Sequence, residues 1–178
     1  MDKNLSRISR YLGVLLVMFG INSPVVSLPL SSCPEDLNLL VDRLLSDLPG
    51  YANRVITRSQ IDQKLSTPVF VIIAGRPEFA PLPLTASQYS GQIADDTQQV
   101  FFTTLERQYS KNRSVTLQNY HWLFLTKTGE GWRLVTIYSQ LAALEPAQVP
   151  LPPLETSQGT IGQAVRLWLR DCEAGTLR

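Results

Sequence analysis

The chain has 178 residues, 44% of them hydrophobic and 17% charged, with a formal net charge of +1. That is an ordinary globular composition, long enough for one domain with a real core, and it offers no basic field of the kind that nucleic-acid binding needs. The charge is unevenly spread: over residues 1–32 Lys3, Arg7 and Arg10 outweigh Asp2 by two, which leaves the remainder at −1.

In chain order, the basic N-terminus runs into an apolar stretch from Tyr11 to Ile21 and then into Asn22-Ser23-Pro24 and small residues. This is the layout of a secretory signal peptide over 1–32, with cleavage between Ser27 and Cys33. The apolar run falls short of the roughly 20 residues that cross a bilayer, so export with cleavage is preferred to a retained anchor. Residues 33–178 are then a single α+β domain.

Cys33-Pro34-Glu35-Asp36 opens a helix, with Pro34 suited to its first position and two acids at the positive end of its dipole. Leu37, Leu40, Val41, Leu44, Leu45 and Leu48 form one buried stripe. Pro49-Gly50 is read as its end, and Tyr51 to Gln60 as a strand by its alternation, although Ala52 and the charges would also suit a helix. Val69 to Ala74 (VFVIIA) is continuous, short and β-branched, as expected of a central strand covered on both faces. Gly75-Arg76-Pro77-Glu78 closes it, and the proline-containing segment to Asp96 reads as a long surface excursion, a type of loop that is often functional. Gln99 to Tyr109 resumes strand character before a polar turn at Lys111-Asn112-Arg113-Ser114.

Leu117 to Gln140 is the organising β-hairpin. Side chains alternate across a strand, so Tyr120, Trp122 and Phe124 oppose His121, Leu123 and Leu125, and Trp132, Leu134, Thr136 and Tyr138 oppose Arg133, Val135, Ile137 and Ser139. Thr128-Gly129-Glu130-Gly131 makes the turn. Both faces are apolar, which asks for cover on both. Pro146, Pro150, Pro152 and Pro153 suit an extended linker. Thr160 then caps a last helix whose stripe is Ile161, Ala164, Val165, Trp168, Leu169 and Cys172.

Two cysteines in an exported chain, Cys33 at the start of the first helix and Cys172 in the last turn of the last, point to a disulfide joining the ends of the domain. Closing that loop is worth at most about 5 kcal/mol in the chain-entropy treatment. The alternative is a lipoprotein: Leu30-Ser31-Ser32-Cys33 resembles a lipobox, which would acylate Cys33 and leave Cys172 a buried thiol.

Little in the chain declares chemistry. His121 is the only histidine, and no ligand spacing around it suggests a metal. Ser139, across the hairpin, is placed to approach it, which would make a small hydrolase, yet no nucleophile elbow or dinucleotide or phosphate loop is present. Asp95-Asp96 reads as a solvated turn. Arg76 and Glu78, at the end of the VFVIIA strand, are candidates for binding a carboxylate ligand or for pairing with each other. Tyr51, Tyr89, Tyr109 and Tyr120 are candidates to line a groove beside the proline loop, or core. No residue is singled out as catalytic and no cofactor is implied.

Cys33-Pro34, Leu48-Pro49 with Tyr51-Ala52-Asn53-Arg54, Ala74 to Phe79, Val100 to Glu106, Tyr120 to Leu125, and Ile161-Gly162-Gln163-Ala164 with Leu167 to Cys172 together resemble a family of exported cyanobacterial proteins to which no activity is assigned. The likeness spans nearly all of the mature chain. It implies a periplasmic or thylakoid-lumen setting and favours paired cysteines, and it brings no catalytic residue.

The expectation is therefore an α+β domain: an antiparallel meander of four or five strands with flanking N-terminal and C-terminal helices tied by the disulfide. The functional expectation is an exported, non-enzymatic accessory or binding module, using the sheet rim and the proline loop, for an envelope protein or small ligand. It has no nucleic-acid partner and no membrane span once the leader is removed. The alternatives are the hydrolase centred on His121 and the lipid-anchored form.

Overall fold

A computed structural model describes residues 33–63, 69–80, 96–110, 113–143 and 151–177. The leader assigned to 1–32 and most of the proline loop, including Tyr89 and Asp95, lie outside the described residues. The elements are α1 (Leu37–Gln63), β1 (Val69–Glu78), β2 (Gln98–Ser110), β3 (Arg113–Thr128), β4 (Gly131–Leu141), β5 (Leu154–Glu155) and α2 (Thr160–Glu173). The strands form one antiparallel sheet in the order β1-β2-β3-β4-β5, a meander. The α+β architecture is the one expected.

Both helices pack on the same face. The α1 stripe and the α2 stripe share one core with Val71, Phe102, Leu123, Leu125, Trp132 and Ile137, and the strand register puts those sheet residues on one side. The other face carries Phe70, Ile72, Phe101, Tyr120, Trp122 and Tyr138. There Phe101 stacks on Tyr120 at 6.0 Å and tilts against Trp122 at 5.3 Å, and Phe70 and Ile72 remain more than half exposed.

Several boundaries differ from the sequence reading. The first helix starts at Leu37, where Asp36 Oδ1 accepts the Leu39 N–H at 3.0 Å, so Asp36 is the cap and Pro34 precedes the helix. It does not end at Pro49-Gly50 but runs through them, and Tyr51–Gln60 is helix rather than strand. A proline inside a helix forfeits one backbone bond. The apolar stripe outweighs that loss, continuing in phase through the fully buried Ala52 and the buried Val55. In α2 the cap position is Gly159, with no side-chain cap, and Thr160 is the first helical residue. The expected stripe is buried in full. A Cβ at Gly162 would collide with the Ser157 backbone, so the helix start needs glycine there to sit on the preceding segment.

VFVIIA is not a central strand. β1 is an edge strand, extended past Gly75, which has φ +88°, by an irregularity that resumes pairing at Glu78 and Phe101. Its free edge is covered by α1: the Asn53 side-chain amide donates to the Val71 carbonyl at 3.4 Å, and its Oδ1 accepts the Val71 N–H at 2.9 Å. One side chain thus takes the place of a neighbouring strand, a way of blocking sheet-to-sheet pairing. On β4 a bulge leaves Val135 unpaired between Thr136 and Leu134. It shifts the alternation, so Leu134 and Trp132 share the helix-facing side with Ile137 instead of opposing it.

The first described residues and the end of α2 meet at the β3–β4 turn. Gly129 and Glu130 form its tip, with Thr128 paired to Gly131. Gly131 has φ +103°, and a Cβ there would overlap the Glu173 carboxylate. Glu173 Oε1 accepts the Trp132 N–H at 3.3 Å, and the Trp132 indole donates to the Pro34 carbonyl at 3.0 Å. Beside this clasp Cys33 and Cys172 are joined by a disulfide with Cα atoms 5.0 Å apart. The lipoprotein alternative is therefore corrected: the sulfur that a lipid anchor would use is spent on the bridge.

Replacing Asn53 by Ala removes both edge bonds, with an expected cost of about 1–2 kcal/mol in urea unfolding. The same variant should self-associate more in sedimentation, because Val71 is left with open backbone groups. Unchanged stability and the same sedimentation as wild type would show that Asn53 does not guard the edge.

Candidate functional site

His121 lies on the helix-facing side of β3, fully inside the domain, with its ring stacked at 4.9 Å on Phe102 of β2. The register pairs it with Phe102 on one side and with Ser139 on the other. Its Nε2 is 2.8 Å from Thr104 Oγ1 and its Nδ1 2.8 Å from Ser139 Oγ. Ser139 Oγ in turn lies 2.6 Å from Thr156 Oγ1, which donates to the Ile137 carbonyl at 3.3 Å.

Thr156 Oγ1 has one hydrogen and two acceptors in reach, Ser139 Oγ at 2.6 Å and the Ile137 carbonyl at 3.3 Å, so either tautomer of the ring completes the network. A serine nucleophile needs its proton directed at an unprotonated ring nitrogen and a carboxylate on the other nitrogen; here that other nitrogen meets the Thr104 hydroxyl. Burial also pushes the imidazole down to about 3, which makes it a weak base at neutral pH.

The network opens onto a cleft of about 360 Å³. Glu106, Asn119, His121, Ser139, Thr156 and Thr160 supply its polar side chains, and Leu117, Leu141 and Ile161 its apolar ones. Glu106 and Asn119 come from β2 and β3 on the same face as Thr104 and His121, one or two pleats along. Asn119 Nδ2 donates to Glu106 Oε1 at 3.0 Å. Burial raises the Glu106 carboxyl above its usual range, and the Asn119 bond offsets only part of that.

The other residues singled out in the sequence lie elsewhere. Arg76 and Glu78 are exposed on the irregular end of the edge strand, where no ion pair joins them among the described residues. Glu78 pairs with Phe101 and so shares the face opposite to His121. The structure does not bring these three together. Tyr51 sits between the helices, donating to Asp171 at 3.0 Å with the Arg54 guanidinium 4.1 Å over its ring, while Tyr109 and Tyr120 belong to the aromatic face. Among the described residues no group of three metal-ligating side chains converges, and no helix is long and apolar enough to cross a membrane.

Thr104, Thr156 and Glu106 were not anticipated. Glu106 was readable in principle, since it shares the phase of Phe102 and Thr104 on one strand. Nothing in the sequence points to the pairing of Thr156 with Ser139. No protein-family model matches the chain, no curated protein matches it, and no solved structure matches it.

An imidazole buried neutral is a pH liability. The unfolded ring takes a proton near its ordinary 6.5, whereas the folded one stays neutral down to about 3. Stability therefore falls as pH drops through that window, by up to about 1.4 kcal/mol per pH unit. Glu106 acts in the opposite sense, because its raised carboxyl protonates more readily in the folded state. Urea titrations from about pH 7 to about pH 4 should show a steeper loss in wild type than in His121→Gln. Parallel slopes would contradict this account of His121.

Proposed function

We propose that this protein works outside the cytoplasm as a non-enzymatic binding module that uses the cleft on the sheet rim beside His121. The observation that carries the reading is that both ring nitrogens are taken by hydroxyls, Thr104 on Nε2 and Ser139 on Nδ1, in an imidazole that burial keeps neutral, with no carboxylate on the ring among the described residues. His121 then shapes the wall of a binding cleft and does no proton transfer. The Cys33–Cys172 bridge supports an oxidising compartment, since such bonds persist outside the reducing cytosol. The basic and apolar character of residues 1–32 supports a cleaved leader, and the cyanobacterial resemblance adds the periplasm or thylakoid lumen as the setting.

One observation favours a hydrolase as the second reading: Ser139 Oγ is within 2.8 Å of Nδ1 beside an open cleft. Producing the full chain in a Gram-negative host and exposing it to a fluorophosphonate probe tests both readings together. The expected product is periplasmic, starts between Ser27 and Cys33, has no free thiol and is not labelled at Ser139. Labelling at Ser139 would establish the hydrolase instead. Retention of residues 1–32 in the cytoplasm with both thiols free would overturn the compartment.

A further inference from the structure

The cleft contains half-buried acceptors that have no protein donor among the described residues. Glu106 projects from β2 toward the helix side, half-buried, and a carboxylate has about four lone-pair sites. Only one of its oxygens has a partner, the Asn119 amide on Oε1. No basic side chain pairs with it among the described residues. That amide bond also fixes the orientation of Asn119: its nitrogen is committed to Glu106, which leaves Oδ1 as a second acceptor without a donor. The cleft is thus lined by a carboxylate and an amide joined by one hydrogen bond, next to apolar walls of Leu117, Leu141 and Ile161.

The chemistry of such a pair is selective. A carboxylate ligand would meet like charge, and a hydroxyl has a single hydrogen to give. An ammonium carries three donors, no acceptor and the opposite charge. Half-burial already disfavours the charged form of Glu106, and a cation arriving beside it offsets that cost. The volume is at the small end of ligand pockets, suited to a head group with a short hydrocarbon body.

We propose that this cleft binds a small ligand through a primary ammonium group, with Glu106 Oε2 and Asn119 Oδ1 accepting its N–H bonds and Leu117, Leu141 and Ile161 holding its apolar body. The inference rests on the binding-module reading and names its ligand class. Both a monoamine and a zwitterionic amino acid carry this head group, and the second would add a carboxylate.

The test is a ligand series on one carbon skeleton, followed by ¹H–¹⁵N NMR on the purified protein with its bridge intact. Isoamylamine and leucine carry the ammonium; isoamyl alcohol and isovalerate do not. At least one of the first pair should shift the resonances of Glu106, Asn119 and Ile161, with an affinity about tenfold or more above the second pair, as one charge-assisted bond provides. Leucine alone, isoamylamine alone or both would each support the proposal and identify the source. Glu106→Gln should lose that preference while keeping a folded spectrum. The wild-type series decides the matter even if that variant does not fold. Equal binding of the alcohol or isovalerate overturns the ammonium while leaving the binding module in place, and so does undiminished amine binding in Glu106→Gln. No shift with any of the four ligands overturns the ammonium inference, whereas labelling of Ser139 overturns the module itself.

Discussion

The fold depends on its two ends being held against the tip of its central hairpin. Cys33 and Cys172 are covalently joined across 139 positions of sequence. The same corner is secured by Trp132, which receives the Glu173 carboxylate at its backbone and gives its indole hydrogen to Pro34. A crosslink closing so long a loop has a ceiling of about 5 kcal/mol. Whole domains are stable by only about 5–15 kcal/mol. The bridge is therefore a large share of what keeps α1 and α2 seated beside each other on the sheet.

That seating explains the unequal faces of the sheet. With both helices on one side, the helix face is closed by leucine, valine and Trp168 packing. The opposite face relies on its own aromatic contacts, and the buried Trp122 indole N–H has no acceptor among the described residues. The exposed edge at β1 is protected by Asn53 reaching down from α1, so the helix both fills the core and guards the sheet. The polar network around His121 lies where β2, β3 and β4 pass beyond the helix cores toward the start of α2, and this placement makes a cleft possible without opening the core.

The strands were legible because their residues carry the period-two pattern directly: Phe101 to Tyr109 and Tyr120 to Leu125 lie in strands, and Ser139 stands across from His121 as the hairpin requires. The closing helix was legible for the same kind of reason, its stripe from Ile161 to Cys172 being unbroken. What failed were inferences from punctuation and from composition. Pro49-Gly50 is a strong local stop, but Ala52 and Val55 continue the buried stripe beyond it, and tertiary packing overrode the local signal. VFVIIA has the makeup of a covered strand, yet composition does not say where a strand sits in a sheet, and Phe70 and Ile72 face outward at its edge. The β4 bulge at Val135 left no mark in the sequence, so Trp132 and Leu134 were assigned to the wrong side. Of the site, His121 and Ser139 were legible through register. The hydroxyl that extends the network, Thr156, comes from a segment 17 residues past Ser139 that only the fold brings back.

The most direct measurement is the unfolding free energy of the bridged protein set against that of the Cys33→Ser, Cys172→Ser pair variant in the same denaturant series. If the clasp between the chain ends organises the domain, the variant keeps its sheet and loses about 2–5 kcal/mol. A difference below about 0.5 kcal/mol would place the stability elsewhere and contradict the account.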